Sequence, residues 1–245
     1  YCFGMFQQCN FNNNFVSIYI PVPVSAQVDA MNQNLLIVDN CIFKSTAPLA
    51  TNYASQTPAA LVKPLAGILI NSADFQLCTF NGFDGLSNGI ISYRSNLNPR
   101  DCWFHNIAPY SNQYSSFTKG FFNVDYNGSG IYCQSGHTYS QLHQTGLGKQ
   151  GNFSFENCIY AIFADRMNIE SSQNNMTNVA KGYRITAGQG CNMQVYDNTI
   201  DAQHDGMQLL QNDGASKLAV HNNTITFGDN YWAQYAGVRV YEANG

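Results

Sequence analysis

The segment Leu218-Ala219-Val220-His221-Asn222-Asn223-Thr224-Ile225 recurs along the chain, and this recurrence restricts the fold more than any other feature. With Asn223 as position zero, apolar residues stand at minus five (Leu218), minus three (Val220) and plus two (Ile225), and Asn222 stands at minus one. The pattern returns at Met193, Val195, Asp197, Asn198 and Ile200, at Phe153, Phe155, Asn157, Cys158 and Tyr160, and at Leu36, Val38, Asn40, Cys41 and Phe43. Looser copies are Ala73, Phe75, Cys78 and Phe80, then Leu97, Pro99, Asp101, Cys102 and Phe104, then Ile169, Asn174 and Met176; Phe6, Cys9 and Phe11 come first. A step of about 20 to 30 residues marks a repeat architecture.

Minus five and minus three alternate, so on a strand they share a face. Plus two meets that same interior only if the chain turns a corner in between. Asn40, Asp101, Asn157, Asp197 and Asn222 occupy minus one, and Asn and Asp tolerate the left-handed conformation that a sharp corner needs. Position zero holds only Cys or Asn: Cys9, Cys41, Cys78, Cys102, Cys158, Asn174, Asn198 and Asn223. Such a column predicts inward side chains stacked from one turn of the chain to the next. Asn amides hydrogen-bond up a column of that kind, and Cys fills the same space as a small hydrophobe.

These corners, above all Asp197-Asn198-Thr199-Ile200 and Asn222-Asn223-Thr224-Ile225, resemble the asparagine-ladder corner of the right-handed parallel β-helix family, the pectate-lyase-like solenoids. The resemblance implies an all-β solenoid with an inward Cys/Asn column and several long loop insertions, built as one domain over residues 1–245. It does not imply an activity, because many unrelated functions share that fold. The repeat starts almost at Tyr1, and Gly237-Val238-Arg239-Val240 opens a turn that does not finish. A solenoid exposes strand edges unless it is capped, so the chain is expected to be a segment of a longer protein, with flanking domains or a partner chain over both ends.

Between the copies, an apolar residue follows glycine at Gly67-Ile68, Gly89-Ile90, Gly130-Ile131, Gly182-Tyr183, Gly206-Met207 and Gly237-Val238, with Ala161-Ile162 as a variant. Each pair is read as the start of a strand, with the glycine at the preceding bend. Ile18 to Val24, interrupted by Pro21 and Pro23, reads as an irregular edge. Insertions are placed at 44–66, 105–129 and 133–151; connections of that length are functional candidates.

Hydrophobic residues make up 44% of the 245 and charged residues only 11%, with a net charge of −4 and no basic block. Nucleic acid is therefore not expected as a partner, and no apolar run is long enough to span a membrane. The polarity comes from Asn, Gln, Ser, Thr, Gly and Tyr, which suits an extracellular or cell-surface setting. Five of the eight cysteines fall in the column. Parallel side chains one strand apart meet disulfide geometry poorly, so Cys9, Cys41, Cys78, Cys102 and Cys158 are expected to be free buried thiols. Cys2, Cys133 and Cys191 lie off it, and a Cys133–Cys191 pair stays open. Cys133, His137 and His143 are the one local grouping of metal-ligating types, and a polar surface loop explains them as well.

Alternation on the glycine-led strands sends Ile91, Tyr93, Tyr132, Gln134, Phe163, Asp165, Arg184, Gln208, Arg239 and Tyr241 outward. Aromatic faces suit sugar rings, and Arg and Gln bond hydroxyls or carboxylates. Tyr93, Tyr132, Arg184 and Arg239 are thus the candidate ligand-binding residues, for a polysaccharide. Hydrolysis of a glycosidic bond needs two nearby carboxylates; Asp165, Asp201 and Asp205 are the candidates, and His204-Asp205-Gly206 is only a partial echo of the polygalacturonase-like members of the family. Its lyases use a calcium cluster of acidic side chains with an arginine. Here Arg184 and Arg239 have only Asp165 as an acidic neighbour, so calcium lacks support and no cofactor or metal is expected. Three functions remain in order: a secreted or surface stalk or adhesin that binds glycans, a polysaccharide lyase or glycoside hydrolase, and a phage tailspike-like protein.

Overall fold

The computed structural model describes residues 2–20, 34–46, 49–50, 61–62, 64–71, 74–108, 128–134, 141–146, 154–187, 190–211, 217–228 and 236–242. Every element among them is a strand, and no helix there is long and apolar enough to cross a membrane. The strands fall into eight successive rungs. The first is β1 (Cys2–Gln7), β2 (Asn10–Asn12) and β3 (Val16–Ile20). The second is β4 (Asn34–Asp39), β5 (Ile42–Lys44), the short pair β6 (Leu49–Ala50) and β7 (Leu61–Val62), and β8 (Ala66–Asn71). The third is β9 (Asp74–Thr79), β10 (Gly82–Asp84) and β11 (Asn88–Tyr93). The fourth is β12 (Pro99–Arg100), β13 (Trp103–His105) and β14 (Ser129–Gln134). The fifth is β15 (Gln141–Thr145), β16 (Phe155–Glu156) and β17 (Tyr160–Asp165). β18 (Asn168–Ser172) and β19 (Asn175–Ala187) form the sixth, and β20 (Asn192–Tyr196) and β21 (Thr199–Gln211) the seventh. The eighth is β22 (Lys217–His221), β23 (Thr224–Phe227) and β24 (Ala236–Glu242).

Equivalent strands pair in parallel, rung on rung. The first stack is the eight-stranded sheet β1-β4-β9-β12-β15-β18-β20-β22. The second stack (β2, β5, β10, β13, β16, β23) and the third (β3, β8, β11, β14, β17, β24) belong to one 14-stranded sheet, because the 13-residue strands β19 and β21 run through both. Among the described residues only β6 and β7 pair antiparallel. The architecture is all-β with solenoid-like stacking of parallel strands around one core.

The core is a set of columns. Phe11, Phe43, Phe83, Phe104 and Phe155, all at plus two, stack with ring centroids 4.9, 4.8, 4.7 and 4.8 Å apart, which is the strand repeat itself. The glycines that lead the third-stack strands face this column. A Cβ on Gly89 would lie 2.5 Å from the Phe104 ring, one on Gly130 2.6 Å from Phe155, and one on Gly206 2.5 Å from Ile225. None of these glycines has a left-handed φ. Room for the plus-two side chain of the next rung, rather than a bend, is what requires glycine there, which corrects the reading from sequence.

The first corner is left-handed, as expected: Gln8, Asn40, Phe80, Asp101, Gln173, Asp197 and Asn222 have φ between 51 and 56°. Inside it the ladder forms. The Cys41 N–H donates to Asn81 Oδ1 at 2.8 Å, the Asn174 N–H to Asn198 Oδ1 at 3.0 Å and the Asn198 N–H to Asn223 Oδ1 at 3.0 Å. Asn198 is fully buried. Gln144, Ser171, Asn174 and Tyr183 extend the ladder into a buried polar network, with Ser171 Oγ donating to Gln144 Oε1 at 2.6 Å and lying 2.9 Å from Tyr183 Oη.

Two column members are corrected. Cys78 pairs in register with Val38 and Pro99, at minus three, and Asn81 takes position zero. Phe80 holds the left-handed corner there, so the Asn or Asp that marks the corners at 40, 101, 197 and 222 is missing from the sequence. Cys158 lies at the bend between the second and third stacks, because Phe155 is in register with Phe104 and Met176. That bend is also left-handed at Asn13, Asn106, Asn157 and Asn178, so Asn157-Cys158 imitates the first corner. The short spacing between Cys158 and Asn174 is explained in this way. The place equivalent to position zero in the fifth rung follows Gly146 and lies outside the described residues.

Cys9, Cys41, Cys78, Cys102, Cys133, Cys158 and Cys191 are free thiols, so Cys133 and Cys191 do not pair. Of the insertions, 133–151 contains β15, a regular strand of the first stack; most of 44–66 and 105–129, and His137, lie outside the described residues.

Candidate functional site

The outward face of the third stack divides in two. On its upper rungs Leu69, Ile91, Tyr132 and Phe163 form a second apolar cluster with Leu65 and Ala66. Tyr132 is only 3% exposed, with its ring 5.9 Å from Tyr93 and 5.3 Å from Phe163. Alternation sends these residues outward as expected, yet they are buried. Tyr93 is half-buried, and burial raises its phenol well above the ordinary range. A polar chain runs beside this cluster: Tyr132 Oη donates to Gln134 Oε1 at 3.1 Å, and Gln134 Nε2 donates to Asp165 Oδ2 at 3.1 Å. Asp165 also meets the Arg166 guanidinium at 3.2 Å.

On the sixth to eighth rungs the face turns polar. Register puts Arg184, Gln208 and Arg239 in one row, and Lys181, Asp205 and Ala236 in the row beside it. Asp205 is the centre. Its carboxylate is fully buried and accepts from Gln208 Nε2 at 2.6 Å and from the Ala236 N–H at 3.3 Å. His204 Nδ1 lies 2.9 Å from Oδ2, and Arg239 closes an ion pair with Oδ1 at 3.1 Å. Burial pushes the Asp205 carboxyl up, but the bonds from His204, Ala236 and Gln208 and the charge of Arg239 outweigh it, so its pKa lies below the ordinary value. Arg239 also donates to Tyr241 Oη at 3.1 Å. Lys181 Nζ reaches Gln208 Oε1 at 3.4 Å and the Tyr160 ring at 5.5 Å, and Arg184 lies over the Phe163 ring at 5.0 Å.

The structure therefore pairs Arg239 with Asp205, sets Arg184 in the row of Gln208 and Arg239 with its guanidinium over Phe163, and leaves the other candidates apart. Asp165 is in register with Thr186, and Thr186 with Leu210. It is thus two strands across from Asp205 and five residues along, roughly 19 Å away at ordinary strand spacings. Asp201, paired with Thr226, faces out from the second stack, around the bend. Lys181 was missed from sequence, although it precedes Gly182 as Asp205 precedes Gly206, and that alignment would have revealed it. Cys133 points into the core, while His143 faces out from the first stack, 3.9 Å from Glu170. Among the described residues no three His, Cys, Asp or Glu side chains converge as metal ligands.

No protein-family model, no curated protein and no solved structure matches the chain.

Proposed function

We propose that the chain is part of a right-handed parallel β-helix, acting as a non-catalytic secreted or cell-surface segment that binds an acidic glycan along the sixth to eighth rungs of the third stack. The observation that carries this reading is the state of Asp205. Its oxygens are occupied by Gln208, His204, Arg239 and the Ala236 N–H, which suits a carboxylate that positions its neighbours. The roughly 19 Å to Asp165 exceeds the 5–10 Å that paired glycosidase carboxylates need. Along this face Lys181 stands beside Asp205, and Arg184 and Arg239 stand on either side of Gln208, three cationic groups against one carboxylate. Such a row favours uronic-acid or sulfated sugars, whose anions guanidinium groups bind in a fork.

A glycan array followed by titration of the best acidic oligosaccharide tests it. Arg184→Gln and Arg239→Gln should each weaken binding about tenfold or more, as loss of one charge-assisted contact does, and added salt should weaken it further. Turnover of the bound oligosaccharide, or binding indifferent to both changes, would reject the reading.

A further inference from the structure

The second stack carries an aromatic feature that the acidic-glycan row does not use. Gly82 faces outward beside Ile42 on one side and Trp103 on the other. It has no side chain, and the Trp103 indole fills the space: a Cβ at Gly82 would fall 2.0, 2.3 and 2.7 Å from indole atoms Cζ2, Cε2 and Cη2. The indole thus leans across the rung below and lies on bare backbone. Gly82 is buried for that reason, while Trp103 stays half-exposed. The His105 ring adjoins it at 4.7 Å, tilted by 46°.

Two residues before Gly82 stands Phe80. It is 59% exposed, and its φ of 53° is in the left-handed region, where a bulky residue is an outlier. Of the equivalent corners, four hold Asn40, Asp101, Asp197 and Asn222, which accept that conformation at little strain, and two hold Gln8 and Gln173. A side chain that strains its backbone and leaves a large ring in water gains nothing for the fold, and strain of this kind clusters at functional sites. Next to the platform Lys44 Nζ lies 3.6 Å from Asp84, and His105 Nδ1 lies 3.7 Å from Glu156.

We infer that Trp103 and Phe80 form a second glycan site, on the outer face of the second stack, that takes the ring of an uncharged sugar. The indole, seated on Gly82, offers its outer face for stacking. Phe80 supplies a second apolar surface at the corner, and the paired polar groups of Asp84 and His105 border the platform for hydroxyls. Aromatic faces recognise the C–H face of a sugar in this way, and a lysine already paired with Asp84 sets this site apart from the cationic row of the third stack.

The test uses the Trp232→Phe protein, in which Trp103 is the one remaining tryptophan. Its emission is followed during titration with neutral hexasaccharides of glucose, N-acetylglucosamine and mannose, and with a single-stranded oligonucleotide as the competing stacking ligand. A saturable change with a neutral sugar is expected. Phe80→Asn should keep or raise the melting temperature, since Asn suits the corner, and should weaken sugar binding about tenfold. Arg184→Gln, which disables the acidic-glycan row, should leave it unchanged. No response to any neutral sugar, a response to the oligonucleotide alone, or full binding by Phe80→Asn would overturn the inference.

Discussion

Asn198 Oδ1 accepts two bonds from Asn174, one from its backbone N–H at 3.0 Å and one from its side-chain Nδ2 at 2.9 Å. The same arrangement links Asn198 to Asn223, at 3.0 and 2.8 Å. Each corner N–H, which turns away from the strand ladder, is thereby satisfied by the rung that follows. Replacing Asn198 with Leu strands the Asn174 N–H and removes a donor to Asn223 at once. The expected loss is about 1–3 kcal/mol, the cost of leaving buried polar groups unpaired, measured as a fall in the denaturant midpoint. An Asn198→Leu protein as stable as the unchanged one would mean that the ladder is not what holds this corner.

Glycine in the third stack makes space for the next rung. On Gly89 a Cβ would lie 2.5 Å from the Gly130 carbonyl oxygen and 2.5 Å from the Phe104 ring. Gly89→Ala should therefore destabilise by about 1–3 kcal/mol through overpacking. Gly228→Ala meets nothing within 4 Å and should change thermal stability by no more than about 0.5 kcal/mol. Equal effects from the two would reject the packing account.

The Asp205 carboxyl has a folded pKa below its ordinary value of 3.8. A depressed carboxylate contributes stability that is fully present above the unfolded pKa and is lost as pH falls through the folded one. Unfolding midpoints measured from pH 6 down to pH 2 should drop in acid for the unchanged protein. In Asp205→Asn that component should be missing, so the two curves converge as pH falls below about 3.8. Parallel curves over that range would show that Asp205 gains nothing from its partners.

Much of the stacking was legible because its chemistry is local. Asn at position zero and Asn or Asp at minus one announce a ladder and a left-handed corner, as at 197–198 and 222–223. Where a corner is built otherwise, the sign disappears: Phe80 hides the true column residue Asn81, and Asn157 makes Cys158 look like one. Alternation gave the outward direction of Tyr132 and Phe163, but direction carries no information about what lies above a side chain, and both are buried. The meeting of Asp205 with Arg239 depends on the register between two rungs 34 residues apart, and the Trp103 platform on an indole leaning over a glycine in the neighbouring rung. Neither contact has a local signature.

Both proposed sites rest on the same claim, that successive rungs stack in parallel at one strand spacing. Lys44, Asp84, His105, Glu156 and Thr177 are successive register partners in the second stack. The most direct measurement is the distance between spin labels carried on azido residues placed at positions 44 and 177, read by pulsed electron resonance. Four strand spacings put the two backbones about 19 Å apart, so a narrow distribution within label reach of about 19 Å is predicted. A broad distribution, or one centred at more than about twice that distance, would contradict the stacked architecture and both sites with it.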